Sequence, residues 1–410
     1  MKRINIFIFL LPGKNCTDRF PRMSRILSVL FGFVLLLNGC SESNGPAFII
    51  NEIKPTTGQP GTIVSIKGAG FASLPASNVV TFNGVPAQVL EASQTELKVS
   101  APEGASRGLV EVRVEDETIQ GPEFRFYNFY AYGSNFGMAT YWKNGTEIQI
   151  PAPNSAITDM AISGSDVYAS GWQMDGIHVT PECWKNGILK PLRGIDIATT
   201  SAIAVSDTNY HVVGSASFSS GTALYWKQGE GQILHSYHSG AGDIALNNND
   251  VHILAGFSGE SVHLLNGEVI QRFEALGDGM ARIIVQDNIV HIAGSRNYRL
   301  AYWRDGVEQT YGPEEVRIQG LCVFGEDVYI SGGIVDGSSV KAAYWKNGEP
   351  IYIENDQELS YATVEVTDDA IYILIEDSEG TKLYKNDEQI TPDLAPTNDD
   401  RINGIMIEYY

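Results

Sequence analysis

One pentapeptide, "YWKNG", recurs along this 410-residue chain, and a recurring unit constrains the fold more tightly than composition does. It stands at 141–145 and 344–348. Variants are "CWKNG" from Cys183, "YWKQG" from Tyr225, "LLNG" ending at Gly267, "YWRDG" from Tyr302 and "LYKND" from Leu383. The Trp position falls at Trp142, Trp184, Trp226, Leu264, Trp303, Trp345 and Tyr384, at spacings of 42, 42, 38, 39, 42 and 39 residues. A second motif precedes each copy: "NFYAYG" from Asn128, "DVYASG" from Asp166, "NYHVVG" from Asn209, "DVHILAG" from Asp250, "NIVHIAG" from Asn288, "DVYISG" from Asp327 and "AIYILI" from Ala370. A third apolar run precedes the second motif in six cases, from "ITDMAIS" at Ile157 to "ATVEVT" at Ala362. The seventh such run, "INGIMI" at 402–407, lies at the C-terminus. A short run after each turn, such as Glu147–Ile150, supplies a fourth.

Four short strands in each repeat of about 40 residues is the pattern of a β-propeller. No repeat carries an apolar period of 3.6, which excludes a helical solenoid. The spacing predicts seven blades over 128–410. The C-terminal strand would complete blade one and so leave neither sheet edge open.

Residues 47–127 have no such repeat. They alternate apolar and polar residues in short runs, among them Ile63-Val64, Val79–Phe82, Leu97–Val99 and Leu109–Val114, with glycines and Asn83-Gly84 between them. Asn-Gly suits a tight hairpin, because both residues tolerate positive φ. Short strands at this spacing predict a β-sandwich. Three stretches, "INEIKPTTGQPGTIVSIKGAGF", "VTFNGVPAQV" and "TELKVSAPEGASRGLVEVRV", resemble the IPT/TIG domain, an immunoglobulin-like fold. The resemblance implies a spacer or accessory module outside the cytoplasm, in which Pro55 and the glycines serve the fold. The expected fold class is therefore all-β: an immunoglobulin-like IPT/TIG sandwich at 47–127, then a seven-bladed propeller at 128–410 closed by the C-terminal strand. Phe124–Tyr127 runs straight into Asn128 with no flexible linker between the two.

The first residues read as an address. Arg22 and Arg25 precede the apolar run "ILSVLFGFVLLL" at 26–37, and Leu37-Asn38-Gly39-Cys40 follows. Basic start, short apolar core and small residues describe a secretory signal. A helix of that length rises only about 18 Å, short of a hydrocarbon core of roughly 30 Å. The ending resembles a bacterial lipobox, which implies a diacylglyceryl group on Cys40. Residues 1–39 are then a signal region, whose true start is either Met1 or Met23, and 40–46 a tether. Ser41-Glu42-Ser43 faintly resembles an acidic surface-export signal. The whole resembles the TIG-plus-repeat surface lipoproteins of Bacteroidetes, which implies an outer-membrane lipoprotein exposed at the cell surface.

The chain carries 49 acidic and 28 basic residues, net −21. Of these, 38 acidic and 16 basic lie in 128–410, so the acidity belongs to the repeats. Nucleic acid is excluded as a partner, because phosphate contacts need clustered Lys and Arg. Acidity also keeps such a surface soluble and repels it from anionic ones. Four cysteines cannot frame the fold with disulfides, and Cys183 and Cys322 fall in separate blades. Asp166, Asp207, Asp250, Asp287, Asp327 and Asp369 recur at turns, where Asp bonds its own backbone. They lack the close oxygen spacing of a calcium loop. The column Tyr130, Tyr168, His211, His252, His291, Tyr329, Tyr372 puts one ring in each blade, too far apart to share a zinc ion. The Trp column reads likewise as packing between blades. No metal and no cofactor is expected.

No H-E-x-x-H, G-x-S-x-G, Walker loop or sialidase Asp-box is present. Loops carry function more often than strands. The segment Gly171–His178 reads as the longest loop, and Trp172 within it lies outside the repeat column. The candidate ligand-binding residues are Trp172, Asp175, His178, His235, Tyr237, His238, Arg296, Tyr298 and Asp336, all on the face that carries the second-to-third and fourth-to-first connections. Aromatics beside hydrogen-bonding groups suit a glycan or a protein. The leading expectation is a non-catalytic binding protein, held to the lipid membrane through acylated Cys40. The alternatives are a glycan hydrolase or lyase using propeller loop carboxylates, and a scaffold in an outer-membrane complex.

Overall fold

The computed structural model describes residues 47–216, 221–274, 276, 281–353, 359–378, 380–386, 388–390 and 401–410. The signal region, the tether and Cys40 lie outside them. Among the described residues, no helix is long and apolar enough to cross a membrane. The fold is all-β apart from a 3-10 turn at Pro75–Ser77.

The first unit is a sandwich. Ile49–Lys54, Ile63–Ala69, Glu96–Ser100 and Val85–Ala92 pair in that order, and Val85–Ala92 also pairs with Asn78–Phe82, followed by Gly108–Val114 and Glu117–Asn135. Alternation decides what faces in: Val64 and Ile66, Val80 and Phe82, Leu97 and Val99, Val110 and Val112 are buried from their respective strands. Phe124 packs edge-on to Phe82 at 5.0 Å and to Phe126 at 4.9 Å.

Strand Glu117–Asn135 does not stop at the end of the sandwich. Its 19 residues pair with Gly108–Val114 in their first half, then with Met138–Lys143 and the C-terminal strand Arg401–Tyr409 in their second. One continuous strand thus belongs to both units, which leaves no hinge between them.

From residue 127 onward the chain builds four-stranded antiparallel meanders. Repeat one consists of Arg401–Tyr409, the second half of Glu117–Asn135, Met138–Lys143 and Thr146–Pro153. Repeats two, three and four begin with Ser155–Ser163, Thr199–Ser206 and Ser239–Asn247. Repeat five begins with Arg282–Gln286. Strand Val307–Phe324 serves repeat five as its fourth strand and repeat six as its first. Repeat seven begins with Ser360–Val366. Each first strand contacts the next, and Arg401–Tyr409 contacts both Ser360–Val366 and Ser155–Ser163.

The core is divided in the same way. Seven apolar clusters each span one pair of adjacent repeats, including repeats seven and one, where Trp142 and Ile405 pack with Tyr372 and Leu383. The Trp column faces the preceding sheet: Trp184 joins the cluster with Tyr130, Trp226 that with Tyr168. The His/Tyr column faces the following sheet, and in repeats three, four and five the polar tip is paired. His211 Nδ1 lies 2.5 Å from Tyr225 Oη, His252 Nδ1 3.0 Å from His263 Nε2, and His291 Nδ1 2.6 Å from Tyr302 Oη. Cys183 and Cys322 are buried free thiols.

The "NG" of the repeat has a physical reason. Asn144, Asn186, Asn266, Asn347 and Asn386 all adopt φ near +50°, and in the first four cases the Gly that follows is also left-handed. A two-residue turn with both φ positive matches strand twist. The same Asn locks the turn to the second strand. Asn347 N–H donates to Val328 O, and Asn347 Oδ1 accepts from Val328 N–H, each at 2.9 Å. Asn144, Asn186, Asn266 and Asn386 repeat this pair of bonds on Phe129, Val167, Val251 and Ile371.

The sandwich grips this end of the meanders. The Asp368 carboxylate, in the first turn of repeat seven, accepts from the N–H and hydroxyl groups of both Thr56 and Thr57. Gln59 Nε2 donates to Asn144 Oδ1, Tyr127 Oη to Asp369, Tyr410 N–H to Phe126 O and Arg107 N–H to Tyr410 O. The opposite end of the meanders is left uncovered by the sandwich.

Candidate functional site

The uncovered end carries the second-to-third turns and the junctions from each fourth strand to the next first strand. Backbone bonds tie the two sets together: Ser155 N–H to Gly137 O, Met174 N–H to Asn154 O, Ser258 N–H to His238 O and Val316 N–H to Tyr298 O. All nine candidate residues lie at this end, and the structure corrects how they get there.

Gly171–His178 is not a loop. The second strand of repeat two runs to Asp175 and the third begins at His178, so only Gly176-Ile177 turn between them. The reason is register: alternation continues through Trp172, which pairs with Ala156 on one side and Pro181 on the other and is half-buried. Asp175 and His178 are exposed cross-strand partners beside the turn. His235 is a strand residue too. It stacks on Phe257 at 4.5 Å, and its buried Nδ1 has no partner among the described residues. Arg296 ends a strand and pairs with Glu308 at 2.5 Å, and Asp336 ends another beside the Gly337-Ser338 turn. These six contribute strand ends rather than loop tips.

The remaining three are of a different kind. Tyr237 and His238 form the junction between repeats three and four at φ 68° and 45°, and Tyr298 turns repeat five at φ 63°. Phe136, which sequence reasoning missed, turns repeat one at φ 50°. Phe136, Tyr237 and Tyr298 are 71%, 70% and 68% exposed. Bulky residues are uncommon at positive φ. Among the described residues, these three aromatic side chains in left-handed backbone lie on one end and set it apart.

Two cavities adjoin it. One of about 310 Å³ lies between repeats three, four and five, with His238 and Ser239 among its lining residues. Its described wall is made of serine, glycine, alanine and leucine, and His238 is the one ionisable side chain among the described lining residues. The other, about 370 Å³, is lined by the first strands of all seven repeats. Three carboxylates and Arg282 face it: Asp159, Asp243 and Glu365. None was singled out from the sequence, because each sits in an apolar strand with no motif around it.

These carboxylates have partners that explain them. Asp159 Oδ2 accepts from the Ile203 N–H at 2.8 Å and Oδ1 from Tyr132 Oη at 3.1 Å, so one side chain joins repeats one, two and three. Asp243 Oδ2 accepts from Ile283 N–H at 2.8 Å, joining repeats four and five. Burial pushes the Asp159 carboxyl up to about 7, and the nearby Asp243 charge adds to this. Burial alone pushes Glu365 up to about 7. Burial raises Asp243 also, against the pull of Arg282. Among the described residues, no group of three His, Cys, Asp or Glu could hold a metal ion.

Comparison with known proteins adds one family. Residues 49–127 match the IPT/TIG domain. No curated protein matches the chain. Among solved structures, a protein of unknown function from Bacteroides thetaiotaomicron is similar at 13% identity and a TM-score of 0.38, over 81% of this chain and 96% of its own. An auxiliary nutrient binding protein from Bacteroides ovatus is similar at 13% identity and a TM-score of 0.35, over 84% of this chain and 85% of its own. The Aleuria aurantia lectin, solved with alpha-methyl-L-fucoside, is similar at 10% identity and a TM-score of 0.37, over 59% of this chain and 94% of its own.

Proposed function

We propose that this chain is a lipid-anchored, cell-envelope binding protein that presents the end remote from its sandwich to a glycan or a protein. In this reading the seven sheets form a closed seven-bladed propeller, completed by the C-terminal strand. The sequential contacts of the first strands and the core shared by repeats seven and one support that closure. Acylation of Cys40 provides the attachment to the outer membrane. The chain enters the sandwich at the end of Ile49–Lys54 remote from Thr56 and Thr57, so a sandwich rooted there leaves the aromatic end outermost.

One observation carries the reading: Phe136, Tyr237 and Tyr298 held about 70% exposed in left-handed backbone on one end. The conformation costs about 1–2 kcal/mol per bulky residue, and the exposed rings of Tyr237 and Tyr298 bury little apolar area to offset it. Aromatic rings next to polar side chains suit the apolar face of a sugar or a protein side chain. A glycan array and a pull-down of envelope proteins test this. Binding by the wild type that falls in Tyr237→Ala and Trp172→Ala supports the reading, and binding indifferent to both contradicts it.

A second reading is a glycan hydrolase or lyase. The proton-holding Asp159 and Glu365 in the central cavity favour it, since a general acid needs a carboxyl protonated near neutral pH. Against it, Asp159 is occupied by Ile203 and Tyr132. Turnover of a polysaccharide that disappears in Glu365→Gln or Asp175→Asn would favour the enzyme. A scaffold role predicts neither glycan binding nor turnover, only a protein partner in the pull-down.

A further inference from the structure

The cavity between repeats three, four and five exists because of two glycines. Gly240 opens the first strand of repeat four and pairs across the ladder with Gly256 of the second strand. A bulge two residues further on fixes the equivalent pair in other repeats: Ala156 with Trp172 in two, Thr199 with Ser215 in three, Arg317 with Gly333 in six, Arg401 with Ser134 in one. Where that pair carries a long side chain, the space is filled or bridged. Arg317 donates to Tyr361 Oη at 2.9 Å, and Arg401 meets Glu376 at 3.6 Å. In repeats three and four the pairs are small, and the cavity opens there.

The fold does not require either glycine. Neither has positive φ. A Cβ on Gly256 would meet nothing closer than 4.0 Å, and one on Gly240 would meet only Ser215 Cβ at 3.5 Å. The contrast with Gly171, Gly214 and Gly332 is plain, since a Cβ there would run into a carbonyl at about 2 Å. Glycine inside a strand costs about 0.5–1 kcal/mol relative to alanine. Glycine inside a strand often marks a bulge, a bend or a close approach of a ligand or another backbone; the bulge here falls at Ala241–Asp243, and neither glycine's own conformation requires glycine.

We infer that this cavity is a binding pocket for one neutral sugar unit of a glycan; the inference rests on the binding role proposed above. The lining decides the ligand class. Among the described lining residues there is no Asp, Glu, Lys or Arg, which argues against a charged ligand. Ser201, Ser215 and Ser261 offer hydroxyls, while Leu254 and Ala255 offer an apolar wall. Ser261 Oγ already accepts the Leu276 N–H at 2.9 Å and keeps its own proton to donate. Ser239 Oγ accepts from Ala223 N–H and donates to His235 O, so it shapes the pocket rather than reading the ligand. His238 lines the rim, and exposed Tyr237 precedes it on the same turn. A pyranose has the matching chemistry, with ring hydroxyls at its edge and an apolar face. The volume of about 310 Å³ falls within the ordinary range of small-molecule sites.

Calorimetric titration of residues 47–410 tests the inference. The probes are glucose, galactose, mannose and xylose with their disaccharides, and glucuronic acid and glucosamine as charged counterparts. Gly256→Val fills the cavity from a strand position that accepts a β-branched residue, and Gly240→Ala is a milder second filling. Circular dichroism and thermal melting check that both variants fold. The expected result is binding of at least one neutral probe, weakened about tenfold or more in Gly256→Val, which is about 1.4 kcal/mol. Neutral binding unchanged by both glycine variants overturns the pocket. If that binding is lost in Phe136→Ala or Tyr298→Ala, the exposed-aromatic reading stands without the pocket. If it is lost in none of these, both fall. Preference for the charged probes, or no binding of any neutral probe at millimolar concentration, also overturns the pocket.

Discussion

The Asn of the repeated turn is the residue whose removal the structure predicts most closely. Asn347 makes three hydrogen bonds around the Val328 backbone and Asp327: its N–H to Val328 O, its Oδ1 from Val328 N–H, and its Nδ2 to Asp327 Oδ1 at 2.7 Å. Asn347→Ala keeps the first and loses the other two. The Val328 N–H is partly buried, so losing its acceptor costs about 1 kcal/mol, and the exposed Asp327 bond adds about 0.5 kcal/mol. Alanine at φ 50° adds about 1 kcal/mol that asparagine largely avoids. The variant should therefore lose roughly 2–3 kcal/mol. Asn347→Gly loses the same two bonds but has no left-handed cost, so it should lose only about 1–2 kcal/mol. Urea unfolding followed by tryptophan fluorescence measures both, with Trp345 two residues away in the same turn region. Stability should fall from wild type to Gly to Ala. A Gly variant as unstable as the Ala variant refutes the backbone part of the argument. Two variants within about 0.5 kcal/mol of wild type refute all of it.

Three further outcomes follow from the same geometry. Asp368→Ala removes the acceptor shared by Thr56 and Thr57 and should weaken docking of the sandwich by about 2–4 kcal/mol; calorimetry should then show a separate sandwich transition, and one coincident transition contradicts this. Glu365, held protonated by burial to about 7 against an ordinary 4.5, contributes stability at low pH that is lost as pH rises through 7. Glu365→Gln should thus match wild type at pH 4 and exceed it by up to about 3 kcal/mol at pH 8, and a difference that does not change with pH contradicts this. His211 and His263, pushed down to about 4 by burial, act in the opposite sense and lose stability as pH falls below 6.5. Ile405→Ala, in the C-terminal strand between repeats seven and one, should cost about 2–5 kcal/mol if that junction is packed core; a loss below 1 kcal/mol points to an open seam.

What could be read in advance follows from which signals are periodic. The "WKNG" turn, the Trp column and the His/Tyr column recur in register, and repetition alone marks them as packing and turn residues. Tyr237, His238 and Tyr298 were legible because they break that register with aromatic residues in turns. Phe136 breaks it in the same way, in "NFG" between two strands, and was passed over. Trp172 belongs to the hairpin and not to a loop, because alternation continues past Gly171 through Asp175 and His178. Other features were beyond sequence reasoning for a physical reason. Asp159, Asp243 and Glu365 converge only because the first strands of different repeats face one cavity. The Gly240–Gly256 gap depends on which residues pair across a ladder, and the bulge that shifts the register is not marked by any residue type. Asp368, beside the turn residue Asp369, carries no signal of its own in the sequence, yet it holds the sandwich.

The account stands on which end of the molecule meets its partner. Hydrogen–deuterium exchange with and without a glycan identified on an array measures that directly. Protection of the turns at 136–137, 176–177, 237–238 and 297–298 is the predicted result. Protection instead at the Asn144, Asn266 and Asn347 turns, or on the sandwich, would place the partner on the opposite end and contradict it.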